Sequence, residues 1–70
     1  MKLSPVTSSI IASVGHDQTL GIIQINFLDG RSKRYIGVPA SVIENILNAD
    51  SPGNYYVQHI RSAGFTEVNA

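Results

Sequence analysis

Between Gly21 and Val38 the chain reads GIIQINFLDGRSKRYIGV, two alternating runs around Asp29-Gly30. Ile23, Ile25 and Phe27 alternate with Gln24 and Asn26, the period-two pattern of a strand with one buried face. Asp-Gly between two such runs marks a hairpin, so RSKRYIGV is the returning strand. Side-chain period is two, so the loop length decides every residue's face. A two-residue loop, Asp29-Gly30, pairs Phe27 with Ser32 and puts Tyr35 beside Gln24 and Asn26. A three-residue loop, Leu28-Asp29-Gly30, pairs Phe27 with Arg31 and sets Lys33 and Tyr35 on the face of Ile23, Ile25 and Phe27. Burying the Tyr35 ring favours the three-residue loop, with Gly30 in the left-handed conformation of a bulged turn.

Other elements are read outward from this hairpin. SSIIASVG, Ser8 to Gly15, is β-branched and predicts a strand, followed by a turn over Gly15-His16-Asp17-Gln18. MKLSPVT reads as a frayed or extended lead-in. Pro39 ends the returning strand and suits the first turn of a helix. Val42, Ile43, Ile46 and Leu47 then follow the spacing of one buried helical stripe. Ser51 is the N-cap candidate of a second helix, with Pro52 at its first position. Tyr56, Val57 and Ile60 form its shorter stripe, which turns Tyr56 inward and Tyr55 outward. Gly64 is its stop, with apolar Phe65 beyond. The tail TEVNA is either a short edge strand or frayed. The fold class expected is α+β: a three-stranded antiparallel β-meander followed by two helices packed on one face, β-β-β-α-α.

Seventy residues suit one domain, 1–70, with residues 6–65 as its core and frayed ends. A chain this short buries only about 60% of its unfolded surface, so it relies on one small core or extends that core across a homodimer interface. It has no cysteine, which excludes disulfides and thiolate metal sites. Five basic and five acidic residues cancel. Nonspecific nucleic-acid binding normally needs a basic excess, so any such contact must come from a local patch. No apolar run approaches the roughly 20 residues of a membrane span, and MKLSPVTSS lacks the apolar core of a signal peptide. A cytoplasmic protein without a membrane partner is expected.

Three constellations are candidates for chemistry. Arg31, Lys33 and Arg34 with Tyr35 form the one basic cluster containing an aromatic. It suits phosphate contact and base stacking, or equally a charged hairpin end that discourages strand pairing with other chains. Ser51 and Gly53, with Tyr55 and Arg61 nearby, mark a helix start that can hold an anion, or simply a capped helix with one surface tyrosine. His16-Asp17 beside a turn has the composition of an acid–base pair, but no nucleophile context accompanies it. A metal site would need His16 and His59 to meet near Asp17 or Asp50. No catalytic residue, metal or cofactor is expected.

Four segments, in order, resemble one family. SSIIASVGHD is similar to its opening, Ser-Ser, an apolar residue, then Gly-Tyr-Asp. Ile23, Ile25 and Phe27 match its Leu-x-Val-x-Phe strand. RYIGVP resembles the end of its Tyr-x-Tyr-x-Gly-Val-Pro centre, and LNADSPGNYYVQHIR its Leu-x-x-Ala-x-Ser-x-Gly-x-Tyr/Phe…Ile-Arg tail. The family is the KTSC domain, named for the C-terminus of some lysyl-tRNA synthetases and also found as small separate proteins of bacteria and phages. The resemblance runs from Val6 to Phe65. It departs at Lys33 and His16, where the family pattern has tyrosines. The synthetase context suggests RNA or tRNA as the ligand of a module that, lacking a catalytic constellation, is expected to be non-enzymatic. The residues expected to bind nucleic acid or a partner are Arg31, Lys33, Arg34, Tyr35, Ser51, Gly53, Tyr55 and Arg61. The alternative is a protein-interaction or accessory module, as a homodimer or on a protein partner.

Overall fold

A computed structural model describes residues 1–70. In chain order it contains β1 (Lys2–Pro5), β2 (Ile11–Asp17), β3 (Ile22–Phe27), β4 (Ser32–Ile36), α1 (Ala40–Leu47), α2 (Pro52–Tyr56) and β5 (Thr66–Asn69). A π-helical turn, Val57–Arg61, prolongs α2. The strands form one antiparallel sheet in the order β1-β2-β3-β4-β5. The helices therefore carry the chain from β4 over one face and return it beside β4 as β5.

The β3–β4 hairpin has the three-residue loop. Ile25 sits opposite Lys33 and Ile23 opposite Tyr35. The Phe27 N–H donates to the Arg31 carbonyl at 2.8 Å and the Gly30 N–H to the Phe27 carbonyl at 3.1 Å. Gly30 has φ +94°, a conformation that a side chain disfavours. Tyr35 is thereby turned inward and is 2% exposed.

The α+β class is as expected, but there are five strands rather than three. β1 forms from the lead-in and pairs with β2, Leu3 opposite Gly15. β5 forms from the tail and pairs with β4, Tyr35 opposite Glu67. Both are edge strands with little buried surface. Pro5 is tolerated because it ends an edge strand.

β2 also differs from the expected Ser8–Gly15 span. Ser8 precedes a bend at Ser9 and Ile10, and its Oγ accepts the Ile10 and Ile11 N–H groups, each at 3.2 Å. At the other end, His16 and Asp17 still pair with Ile23 and Ile22. Asp17 Oδ1 accepts the Leu20 N–H at 3.1 Å, which starts the turn two residues later than the glycine suggests. Between Ile11 and Ser13 the register shifts. This bulge lets Ile11 and Val14 both reach the core despite their odd spacing.

The core lies between the sheet and the helices. Val14, Ile23, Ile25 and Tyr35 from the sheet meet Ile43, Ile46, Tyr56 and Ile60 from the helical layer. The opposite sheet face is polar and hydrogen-bonded side to side. Asn26 Nδ2 donates to Ser13 Oγ at 3.0 Å and Ser32 Oγ donates to Asn26 Oδ1 at 2.8 Å.

Gly53 is buried because a Cβ there would lie 3.0 Å from Ile10 Cγ1 and 3.1 Å from Ser8 Oγ. Gly53→Val is expected to lower stability by about 1–3 kcal/mol through overpacking, read from the midpoint of urea unfolding.

Candidate functional site

The end of the β3–β4 hairpin and the π-helical turn after α2 face each other across an open cleft of about 430 Å³. Strand parity supplies one wall: residues 31 and 33 share a face with Tyr35, so Arg31 and Lys33 point toward the helical layer. The other wall carries Arg61, at the last position of the π-helical turn. Phe27 and Tyr56 lie between them, with ring centroids 5.6 Å apart in an edge-to-face arrangement. Ile10, Leu28 and Val57 form an apolar rim, and all three are exposed.

Two of the three cations are already paired. Arg31 Nε lies 2.8 Å from Asp29 Oδ2, and the Arg31 N–H donates to Asp29 Oδ1 at 2.9 Å. The Arg31 backbone N–H, and then its guanidinium, hold the Asp29 carboxyl below the usual carboxylate range. Lys33 Nζ lies 3.4 Å from Glu67 Oε1. Arg61 makes no ion pair.

Behind the cleft runs a short chain of hydroxyl groups. Tyr35 Oη donates to Glu67 Oε1 at 2.6 Å. The Tyr35 and Tyr56 hydroxyl oxygens are 2.7 Å apart. Tyr35 has one proton and donates it in the hydrogen bond to Glu67, so Tyr56 is the donor to Tyr35. Burial first, and then the hydrogen bonds to Glu67 and Tyr56, push the Tyr35 hydroxyl well above its ordinary value. The Tyr35 hydrogen bond first, and then the Lys33 and Arg61 charges, hold the Glu67 carboxyl low. Tyr35 is therefore a fixed hydrogen-bond donor. Chemically, the cleft offers three cations against the single carboxylate of Asp29, a floor of half-buried Phe27 against the buried Tyr56, and an apolar rim, which fits an anion attached to a flat or apolar group.

Of the residues singled out from the sequence, the fold brings Arg31, Lys33 and Arg61 together. Arg34 lies on the opposite sheet face, where its Nη2 donates to Gln24 Oε1 at 2.7 Å. Tyr35 is buried too deeply to stack on a ligand. Ser51 occupies the N-cap position, but its hydroxyl makes no capping bond. Pro52 offers no N–H, and Ser8 and Ile10 pack against Gly53. Ser51 and Gly53 instead line a separate groove with Asp50 and Asn54, which no cation lines. Tyr55 is half-buried, its ring centroid 4.6 Å from that of His59. His16 Nε2 is 3.0 Å from Ser4 Oγ. Phe27 and Tyr56 read as core residues in the sequence, and Glu67 fell in the ambiguous tail. The aromatic at 56, one turn before Arg61, was the available signal for the floor.

The sequence profile of the KTSC domain matches residues 7–65. An uncharacterised protein of Stutzerimonas stutzeri is 36% identical over 58 residues, covering 83% of this chain and 82% of that protein. A protein of Tsukamurella paurometabola is 34% identical over 53 residues, 76% of this chain and 79% of its own. The crystal structure of a KTSC domain protein from Yersinia pestis superposes with a TM-score of 0.87 at 30% identity, over 99% of this chain and 96% of that one.

Proposed function

This chain belongs to the KTSC domain family, and we propose that it acts as a small non-enzymatic RNA-binding module of the cytoplasm, holding single-stranded RNA in the cleft between the hairpin end and the π-helical turn. The observation that carries this reading is the convergence of Arg31, Lys33 and Arg61 around Phe27 and Tyr56. Cations that track phosphates beside an apolar, aromatic floor are the common means of holding single strands. The cluster is local, which reconciles phosphate contact with a net charge of zero. The synthetase context that the resemblance implies is the ground for preferring RNA to DNA. No helix is long and apolar enough to cross a membrane.

Anisotropy of a labelled oligouridylate tests this reading. Three phosphate contacts should weaken binding about 20-fold between about 50 and about 200 mM salt, and Arg61→Ala should reduce that ratio to about 7-fold. Absence of binding at low salt rejects it.

The exposed Ile10, Leu28 and Val57 favour a second reading, a docking rim for a protein partner or a second copy of the chain. Association that persists unchanged at high salt, with a doubled mass in light scattering for the second copy, would select it.

A further inference from the structure

Asp29 is the carboxylate in the cleft wall; Glu67 stands outside that wall and reaches the cleft through Lys33, which lines it. Glu67 comes from β5, whose four residues are all exposed and which pairs with β4 alone. Its Oε1 receives the Tyr35 hydroxyl at 2.6 Å and lies 3.4 Å from Lys33 Nζ. A buried hydroxyl that stays protonated, beside an ammonium group, is the donor set that a phosphate oxygen requires. The Lys33 and Glu67 side chains are 36% and 43% exposed, and ion pairs this exposed are weak. Asp29 differs: the Arg31 backbone N–H of the same turn holds its carboxylate, so its place does not depend on β5.

We propose that Glu67 is a built-in competitor for the anion site: its carboxylate occupies the place of a ligand's anionic oxygen, and an entering anion displaces it from Lys33 and Tyr35. The inference rests on the reading of the cleft as an anion site, but not on that anion belonging to RNA. β5 thereby becomes a strap that lowers the positive charge of the empty cleft, leaving only Arg61 unpaired, and discriminates against weakly charged ligands.

The probe is inorganic pyrophosphate, titrated into the full chain and followed by backbone amide shifts. Glu67→Gln retains an oxygen that accepts from Tyr35 and removes only the charge. It is expected to bind pyrophosphate about 2- to 5-fold tighter than the unmodified chain, with shifts at Lys33 and Arg61. Equal or weaker binding by the variant, or no binding by either protein, overturns the proposal. A second readout needs no variant. On adding pyrophosphate to the unmodified chain, the Glu67 side-chain carboxyl carbon should shift together with Lys33. A Lys33 response without a Glu67 response also overturns it. Pyrophosphate results as expected, with no binding of oligouridylate, would leave the competitor in place and reject RNA as the ligand.

Discussion

Ile46→Ala is expected to lower stability by about 2–5 kcal/mol, the usual range for emptying a fully buried isoleucine site. Ile46 is completely buried, as is Ile43 on the same face of α1. These two are the only fully buried side chains with which α1 closes the core over the sheet. A domain of this size commands only the lower part of the usual 5–15 kcal/mol stability range. The variant should therefore be substantially unfolded at room temperature in about 2 M urea, where a typical denaturant slope removes a few kcal/mol more. Ile46→Val should cost only about 0.5–1.5 kcal/mol. Leu28→Ala, at the exposed rim of the cleft, should change stability by less than about 0.5 kcal/mol. Urea unfolding followed by circular dichroism distinguishes the three. An Ile46→Ala midpoint close to that of Leu28→Ala would mean that α1 contributes little to the cooperative core.

The same buried stripe shows why parts of this fold were legible in the sequence and others were not. Ile43 and Ile46 are spaced for one helical face, and Ile23 and Ile25 alternate. Burial imposes both patterns, so both can be read back. The Asp29-Gly30 turn fixed the hairpin register once Tyr35 had to be inside. β1 and β5 bury almost nothing, so burial imposes no pattern on them. Their hydrogen bonds come from the backbone, which the sequence does not display. The β2 bulge broke alternation at Ala12 and concealed where that strand starts. The cleft was half legible. Parity placed Arg31 and Lys33 on the helix side and Arg34 on the other. Arg61 joins them only because α2 docks with its π-helical end beside the hairpin, a tertiary fact without local signature. Glu67 was hidden for the same reason as β5. Ser51 and Gly53 carried a recognisable helix-start signal, but Gly53 serves the approach of Ser8 and Ile10 from the same chain.

Tyr35 links core and cleft, so Tyr35→Phe is expected to have the second large effect. The phenylalanine keeps the buried ring and removes the hydroxyl that joins Tyr56 to Glu67. Leaving the buried Tyr56 hydroxyl without its acceptor should cost about 1–3 kcal/mol at neutral pH. The pH dependence identifies the group. The folded-state value of Tyr35 is raised above its ordinary value of 10.0. Its contribution is therefore complete below that pH, because both folded and unfolded chains then hold the proton. Above it the unfolded chain releases the proton while the folded chain retains it. Stability should fall by about 1.4 kcal/mol per pH unit above about pH 10, until the folded-state value is reached. Glu67 acts with the opposite sign. Its value is lowered on folding, so its contribution is present above the ordinary carboxylate range and is lost as pH falls through the folded value. Urea midpoints from neutral to alkaline pH separate the two ends of this bond. Tyr35→Phe should flatten the alkaline decline, whereas Glu67→Gln should retain most of it, since burial is the first cause of the Tyr35 shift. An equally steep alkaline decline in Tyr35→Phe would assign it to another group and remove Tyr35 as the fixed donor behind the cleft.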